Sequence, residues 1–191
     1  MDPYVDPRTG VLRNRLGIAD GAELARAEAR LAAAAEVVLF SEQLKLGAYD
    51  LAHLRAVHRH LFGAVYDWAG DLRTVNMTKG ETVFALVEWL EPQAQQIFDR
   101  LAGVHYLEDL PRERFIEGAS QVLSDLNALH PFREGNGRTQ RAFLRLLAAD
   151  AGWEIVWSKI DLSANVAASI AAMADGRAFI PRLRRIVEPG R

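Results

Sequence analysis

Two apolar stripes flanking one short turn constrain this chain more than any other feature. Phe115, Ala119, Val122, Leu126 and Leu129 recur at steps of four and three, and Phe143, Leu146 and Leu147, with Asp150, continue the pattern beyond the turn. That spacing lines one face of a helix and requires a core on that side. Pro131 interrupts the pattern, so the chain must reverse within HPFREGNGRTQR, residues 130–141.

The remaining text is mostly helical. Asp20 and Glu23 have capping-box spacing, and the Ala-rich run to Leu46 favours helix until Gly47. Further helices are expected over 50–61, 87–102, 111–129, from about Arg138 to Gly152, over 162–174 and over 179–187. Residues 153–157 read as a short extended piece. The texture changes at WAGDLRTVNMTKGETVFA, residues 68–85. Strands are expected at 73–77 and 82–84 around Thr78-Lys79-Gly80-Glu81, a hairpin that needs helices to pack on. The expectation is an all-α fold: one domain over 1–191, with an N-terminal arm at 1–19, a β-hairpin flap at about 72–84 and the loop at 130–141.

The net charge is −2, so nucleic acid would need a local basic patch, and no direct nucleic-acid binding is expected. The chain has no cysteine, which excludes disulfides and thiolate metal sites. The polar start carries Pro3 and Pro7 and no apolar leader, and LAAAAEVVLF is too short to cross a bilayer. A cytoplasmic protein without membrane contact is the expectation.

The loop concentrates chemistry. Gly135-Asn136-Gly137 precedes a helix start, whose open N–H groups and positive dipole end attract anions. Arg138 and Arg141 lie three residues apart, and their forks match phosphate oxygens. Glu134 would repel a bare anion but suits a divalent cation shared with phosphates. His130 is the one group there able to take a proton near neutral pH. His53, His58, His60 and His105 show no such pattern and are assigned to helix faces and surface, without a metal role.

The stretch resembles the signature of the Fic family, His-Pro-Phe-x-[Asp/Glu]-Gly-Asn-Gly-Arg-x-x-Arg, and agrees with it at every specified position. WAGDLRTVNMTKGETVF is similar to the family's flap, and DPYVDPRTGVLRNRLGI to the opening of small bacterial Fic toxins. The resemblance implies transfer of AMP from ATP to a Tyr, Thr or Ser hydroxyl of a target protein, with release of pyrophosphate. It implies His130 as general base, Glu134 as the Mg²⁺ ligand and Phe132 as a buried loop support. ATP phosphates would be bound by Arg133, Glu134, Gly135, Asn136, Gly137, Arg138, Thr139 and Arg141. Thr78, Lys79 and Gly80 of the flap would dock the target by strand pairing.

In this family an inhibitory helix of pattern [Ser/Thr]-x-x-x-Glu-[Gly/Asn] competes for the second motif arginine, here Arg141. Only Glu117 and Glu134 are followed by Gly or Asn, and Glu113 and His130 stand four residues earlier. The chain thus resembles toxins inhibited by a separate antitoxin protein. A type II DNA topoisomerase subunit is the target such relatives suggest. The 172–176 segment departs from the tyrosines and asparagine expected around adenine. Alternative readings are another nucleotidyl or phosphoryl transfer on this scaffold, a catalytically silent binding module, or a helix-turn-helix DNA binder. Arg141, the intact His130 and Glu134, and the acidic balance argue against them in turn.

Overall fold

The computed structural model describes residues 2–41, 48–80, 82–160, 169, 171 and 175–190. Its helices are α1 (Gly21–Ser41), α2 (Leu51–Phe62), α3 (Leu90–Gly103), α4 (Arg112–Leu129), α5 (Asn136–Asp150) and α6 (Ile180–Ile186). Two short antiparallel pairs accompany them: β1 (Thr78–Lys79) with β2 (Thr82–Val83), and β3 (Trp153–Ile155) with β4 (Val187–Pro189). The architecture is all-α with a small hairpin. No described helix is long and apolar enough to cross a membrane. Gly47, Glu81, most of the helix expected over 162–174 and most of 172–176 lie outside the described residues.

Local chemistry accounts for the helix starts. The Asp20 carboxylate accepts the Glu23 N–H at 2.7 Å, and Asp50 accepts that of His53 at 2.8 Å. The stripe on α4 is buried along its length and meets α3, α5 and α6. Phe143, Leu144, Leu147 and Ala148 of α5 join this core, and Ala142 on the same helix faces a second core built by α1, α2 and residues 65–69. Each fully buried Leu or Phe contributes about 2 kcal/mol. Helix α5 is therefore clamped on two sides, which fixes the position of its N-terminus.

Three expectations need correction. The hairpin strands are 78–79 and 82–83, and residues 73–77 are not a strand. Arg73 holds that segment against the end of α4 instead, so pairing begins only beyond it. Helix α5 starts at Asn136, two residues before Arg138, because Gly135 at φ 80° serves as its N-cap. The last helix ends at Ile186, and Ile155 pairs with Val187 and Trp153 with Pro189 in a sheet not foreseen.

Candidate active site

The loop between α4 and α5 is fixed by bonds that close on themselves. His130 caps α4 in the left-handed region, φ 46°, with its N–H bonded to the Leu126 carbonyl at 3.0 Å. That conformation costs a non-glycine residue about 1 kcal/mol and swings the chain off the helix axis. The Asn136 side chain accepts the Phe132 N–H at 2.9 Å and donates to the Phe132 carbonyl at 2.7 Å, stapling the turn. Phe132 is buried beneath. At Gly135 a Cβ would stand 2.5 Å from the Phe62 ring, so both its positive φ and the close packing require glycine.

The first intrahelical bond of α5 runs from Thr139 N–H to the Gly135 carbonyl at 3.0 Å. The N–H groups of Asn136, Gly137 and Arg138 therefore have no carbonyl partner within the helix. Arg141 reaches back over this end: its Nη1 lies 3.5 Å from where a Gly137 Cβ would be. No acceptor among the described residues bonds its guanidinium. Burial disfavours its charge and Glu36 of α1 favours it. Arg138 is placed differently. It pairs with Glu28 of α1, lies 3.6 Å from Glu134, and covers the Phe62 ring at 4.7 Å.

Glu134 Oε1 accepts the Gly135 N–H at 2.9 Å, while Oε2 makes no hydrogen bond within the described residues. Those residues include no cluster of three or more His, Cys, Asp or Glu able to hold a metal by itself. One hard carboxylate oxygen beside open N–H donors suits Mg²⁺ that brings phosphate oxygens as its other ligands.

Three expected phosphate contacts are engaged elsewhere. The Arg133 fork binds the Asp2 carboxylate, through Nε and Nη2, both at 2.8 Å. Thr139 is fully buried and its hydroxyl donates to the Gly135 carbonyl at 3.0 Å. The Asn136 side chain is the staple described above. These three hold the loop. Gly176, from the segment expected near adenine, packs on α4, its carbonyl accepting the Ser120 hydroxyl at 2.7 Å.

Sequence reasoning missed two loop supports. His58, on the inner face of α2, is more than packing: it is fully buried and stacks on Phe132 at 3.9 Å. Its Nδ1 accepts the Gly70 N–H at 2.7 Å, which sets the tautomer, and its Nε2–H donates to the Glu134 carbonyl at 3.0 Å. Burial holds its pKa down at about 4. Arg73 is 1% exposed, and its guanidinium donates to the carbonyls of His130, Leu129, Val75 and Ala85. It ties both ends of the flap to the end of α4. The only sequence signal was a charged residue inside an otherwise strand-like run.

The flap also touches the imidazole directly. Phe84 stacks on His130 with centroids 3.8 Å apart. Thr78 pairs with Val83 and Lys79 with Thr82, and Gly80 turns the chain at φ 60°. A two-stranded hairpin leaves an outer edge on each strand.

The Fic/DOC family model matches residues 48–148, which contain the loop, the flap, α2 to α4 and nearly all of α5. Protein adenylyltransferase VbhT of Bartonella schoenbuchensis is 43% identical over 88% of this chain, which spans only 35% of VbhT's length. A Sinorhizobium fredii protein named "Probable protein adenylyltransferase y4lH" is also 43% identical, with coverage of 84% of this chain and 82% of its own. Among solved structures, BepC of Bartonella tribocorum with bound AMPPNP superposes with a TM-score of 0.89 at 26% identity, covering 98% of this chain and 97% of BepC. The chain belongs to the Fic/DOC family.

Proposed function

We propose that this chain is a protein adenylyltransferase that moves AMP from ATP to a Tyr, Thr or Ser hydroxyl of a target protein. The observation that carries this reading is that Arg141 reaches back over the open N–H end of α5, where the half-exposed Glu134 carboxylate accepts the Gly135 N–H, in the loop that begins at His130. The relatives' names and the AMPPNP bound to BepC support it.

The target oxygen attacks the α-phosphorus, the bond to the β-phosphate oxygen breaks, and pyrophosphate leaves. His130 accepts the hydroxyl proton. The Phe84 stack and the Arg73 bond to its carbonyl fix where the imidazole stands. Arg141 and the α5 N-terminus hold the phosphates, so that catalysis is mainly positioning and charge stabilisation. Glu134 would hold Mg²⁺ arriving with the nucleotide, which supplies charge neutralisation at the phosphates. The outer edge of the hairpin, at Thr78, Lys79 and Gly80, would take up the target segment as an added strand.

We place the protein in the cytoplasm, where ATP is present, as a toxin. Its antitoxin would be a separate protein whose glutamate occupies Arg141, and a type II DNA topoisomerase subunit is the proposed target. ATP labelled at the α- or the γ-phosphate, incubated with the chain and bacterial lysate, tests this. Label is expected in a protein only from the α-position, and a His130→Ala variant should bind ATP yet transfer nothing. Label arriving only from the γ-position would mean phosphotransfer. If the labelled protein is not a topoisomerase subunit, the target assignment fails and the activity stands.

A further inference from the structure

Helix α1 buries Leu24, Glu28 and Ala32 one turn apart, so a carboxylate occupies a core position between two apolar ones. Glu28 is 6% exposed. Its Oε2 accepts the Tyr66 hydroxyl proton and its Oε1 accepts an N–H from Arg138 Nη2. On its other sides Arg138 meets the face of Phe62 and the Glu134 carboxylate. Three elements thus hold one guanidinium at the N-terminus of α5. A buried ion pair stabilises a fold poorly compared with apolar packing, so stability alone gives no reason for a carboxylate here.

We propose that Glu28, oriented by Tyr66, is a positioning residue that fixes Arg138 for nucleotide phosphate. The proposal rests on the adenylyl-transfer reading. The two motif arginines then divide the work. Arg141, without a bonded carboxylate among the described residues, supplies net positive charge. Arg138, largely neutralised by Glu28, supplies remaining N–H donors at a fixed place and angle. Pre-set donors cost no reorganisation during the reaction.

Two other roles for Glu28 predict different outcomes. A carboxylate that merely adds negative charge would weaken binding of a polyanion, so its removal would tighten ATP binding and leave turnover unchanged. A carboxylate that competes with phosphate for Arg138 would be a latch, and its removal would speed transfer. A positioning carboxylate predicts slower transfer.

The test uses the full chain as wild type, Glu28→Gln, Tyr66→Phe, Arg138→Ala and the Glu28→Gln/Arg138→Ala pair. Thermal melting reports folding, calorimetry reports binding of Mg-ATP, and transfer of α-labelled AMP into lysate protein reports turnover. Glu28→Gln is expected to bind within about threefold of wild type and to transfer at least about tenfold more slowly. Tyr66→Phe should show a smaller loss, and Glu28→Gln should add nothing to Arg138→Ala. Unchanged or faster transfer by a folded Glu28→Gln overturns the proposal, as do additive losses in the pair. If Glu28→Gln does not fold, Tyr66→Phe decides: normal melting with slower transfer supports the proposal, and a wild-type rate overturns it. Mg-ATP binding by wild type without any α-label transfer would sink the adenylyl-transfer reading instead. NMR relaxation of the Arg138 Nε–H then judges the positioning claim separately. It should be rigid in wild type and mobile in Glu28→Gln, and equal rigidity in both overturns it.

Discussion

Arg73 donates from Nε to the carbonyl of His130 at 2.8 Å, and its own N–H bonds the neighbouring Pro131 carbonyl at 2.9 Å. One buried residue therefore sets the backbone that carries the proposed base. The other guanidinium nitrogens bond carbonyls of Val75, Leu129 and Ala85, so the base of the flap and the end of α4 share one cation. Burial lowers the Arg73 pKa, and the ring of carbonyls compensates for the lost water.

Arg73→Lys keeps the charge but cannot present a planar fork to four carbonyls. Carbonyls left unbonded in the interior each carry a penalty, and a total loss of about 3 kcal/mol is expected. Urea unfolding measures it. Transfer should fall as well, because the flap base and the His130 backbone loosen together. A variant as stable and active as wild type would show that the clamp is dispensable.

His58 gives the fold a pH response. An unfolded chain protonates this side chain near pH 6.5, whereas the buried imidazole stays neutral down to about pH 4. Between those values the unfolded state binds more protons, so stability falls as pH drops through the window, by up to about 3 kcal/mol. Protonation also removes the acceptor that Gly70 N–H uses. The urea midpoint of wild type should decline from pH 6.5 to 4. His58→Asn should start lower at neutral pH and decline less steeply. Parallel curves would remove His58 from the acid response.

Gly135→Ala separates backbone strain from packing. At φ 80° an alanine costs about 1 kcal/mol, and its Cβ would also meet the Phe62 ring at 2.5 Å. The expected total is about 2 kcal/mol or more, with displacement of the α5 N-terminus and loss of transfer. Gly17→Ala is the control. Its φ is 68°, but nothing lies within 4 Å of the added carbon. It should cost only the backbone term, about 1 kcal/mol, and leave transfer intact. Equal melting shifts for the two variants would mean that Phe62 yields.

Local patterns made α4 and α5 legible. Their stripes repeat within a few turns, and Gly135, the N-cap, stands inside a motif whose glycines signalled a tight turn. What local pattern left undecided depends on the folded turn or on partners distant in sequence. Asn136 looks like a phosphate donor by type, yet its amide closes on Phe132, and only the folded turn decides between the two. The strand expected at 73–77 fails because Arg73 reaches carbonyls at 129 and 130. Strand β4 exists because Val187 finds Ile155, and no local propensity at 187–189 announces that pairing. His58 shares a helix stripe with ordinary core residues, so spacing alone cannot tell a loop brace from packing.

Arg133 and Arg141 make a direct comparison, since residue type alone assigns both to phosphate. Arg133 is satisfied by Asp2, a partly exposed pair in which Nε and Nη2 both lie 2.8 Å from the same oxygen, Oδ2. Breaking such a pair costs under about 1 kcal/mol of stability. Arg133→Ala should therefore shift Mg-ATP affinity by less than about twofold. Arg141 has no acceptor among the described residues and already bears the cost of burial, so a phosphate oxygen would be its partner. A charge-assisted hydrogen bond of about 1.5–3 kcal/mol converts to about 10- to 100-fold in affinity, and Arg141→Ala should lose that much. Calorimetric titration of both variants with Mg-ATP decides. A large loss in Arg133→Ala would mean that Asp2 releases the fork when nucleotide arrives. The N-terminal arm would then be part of nucleotide binding rather than a fixed strap across the loop.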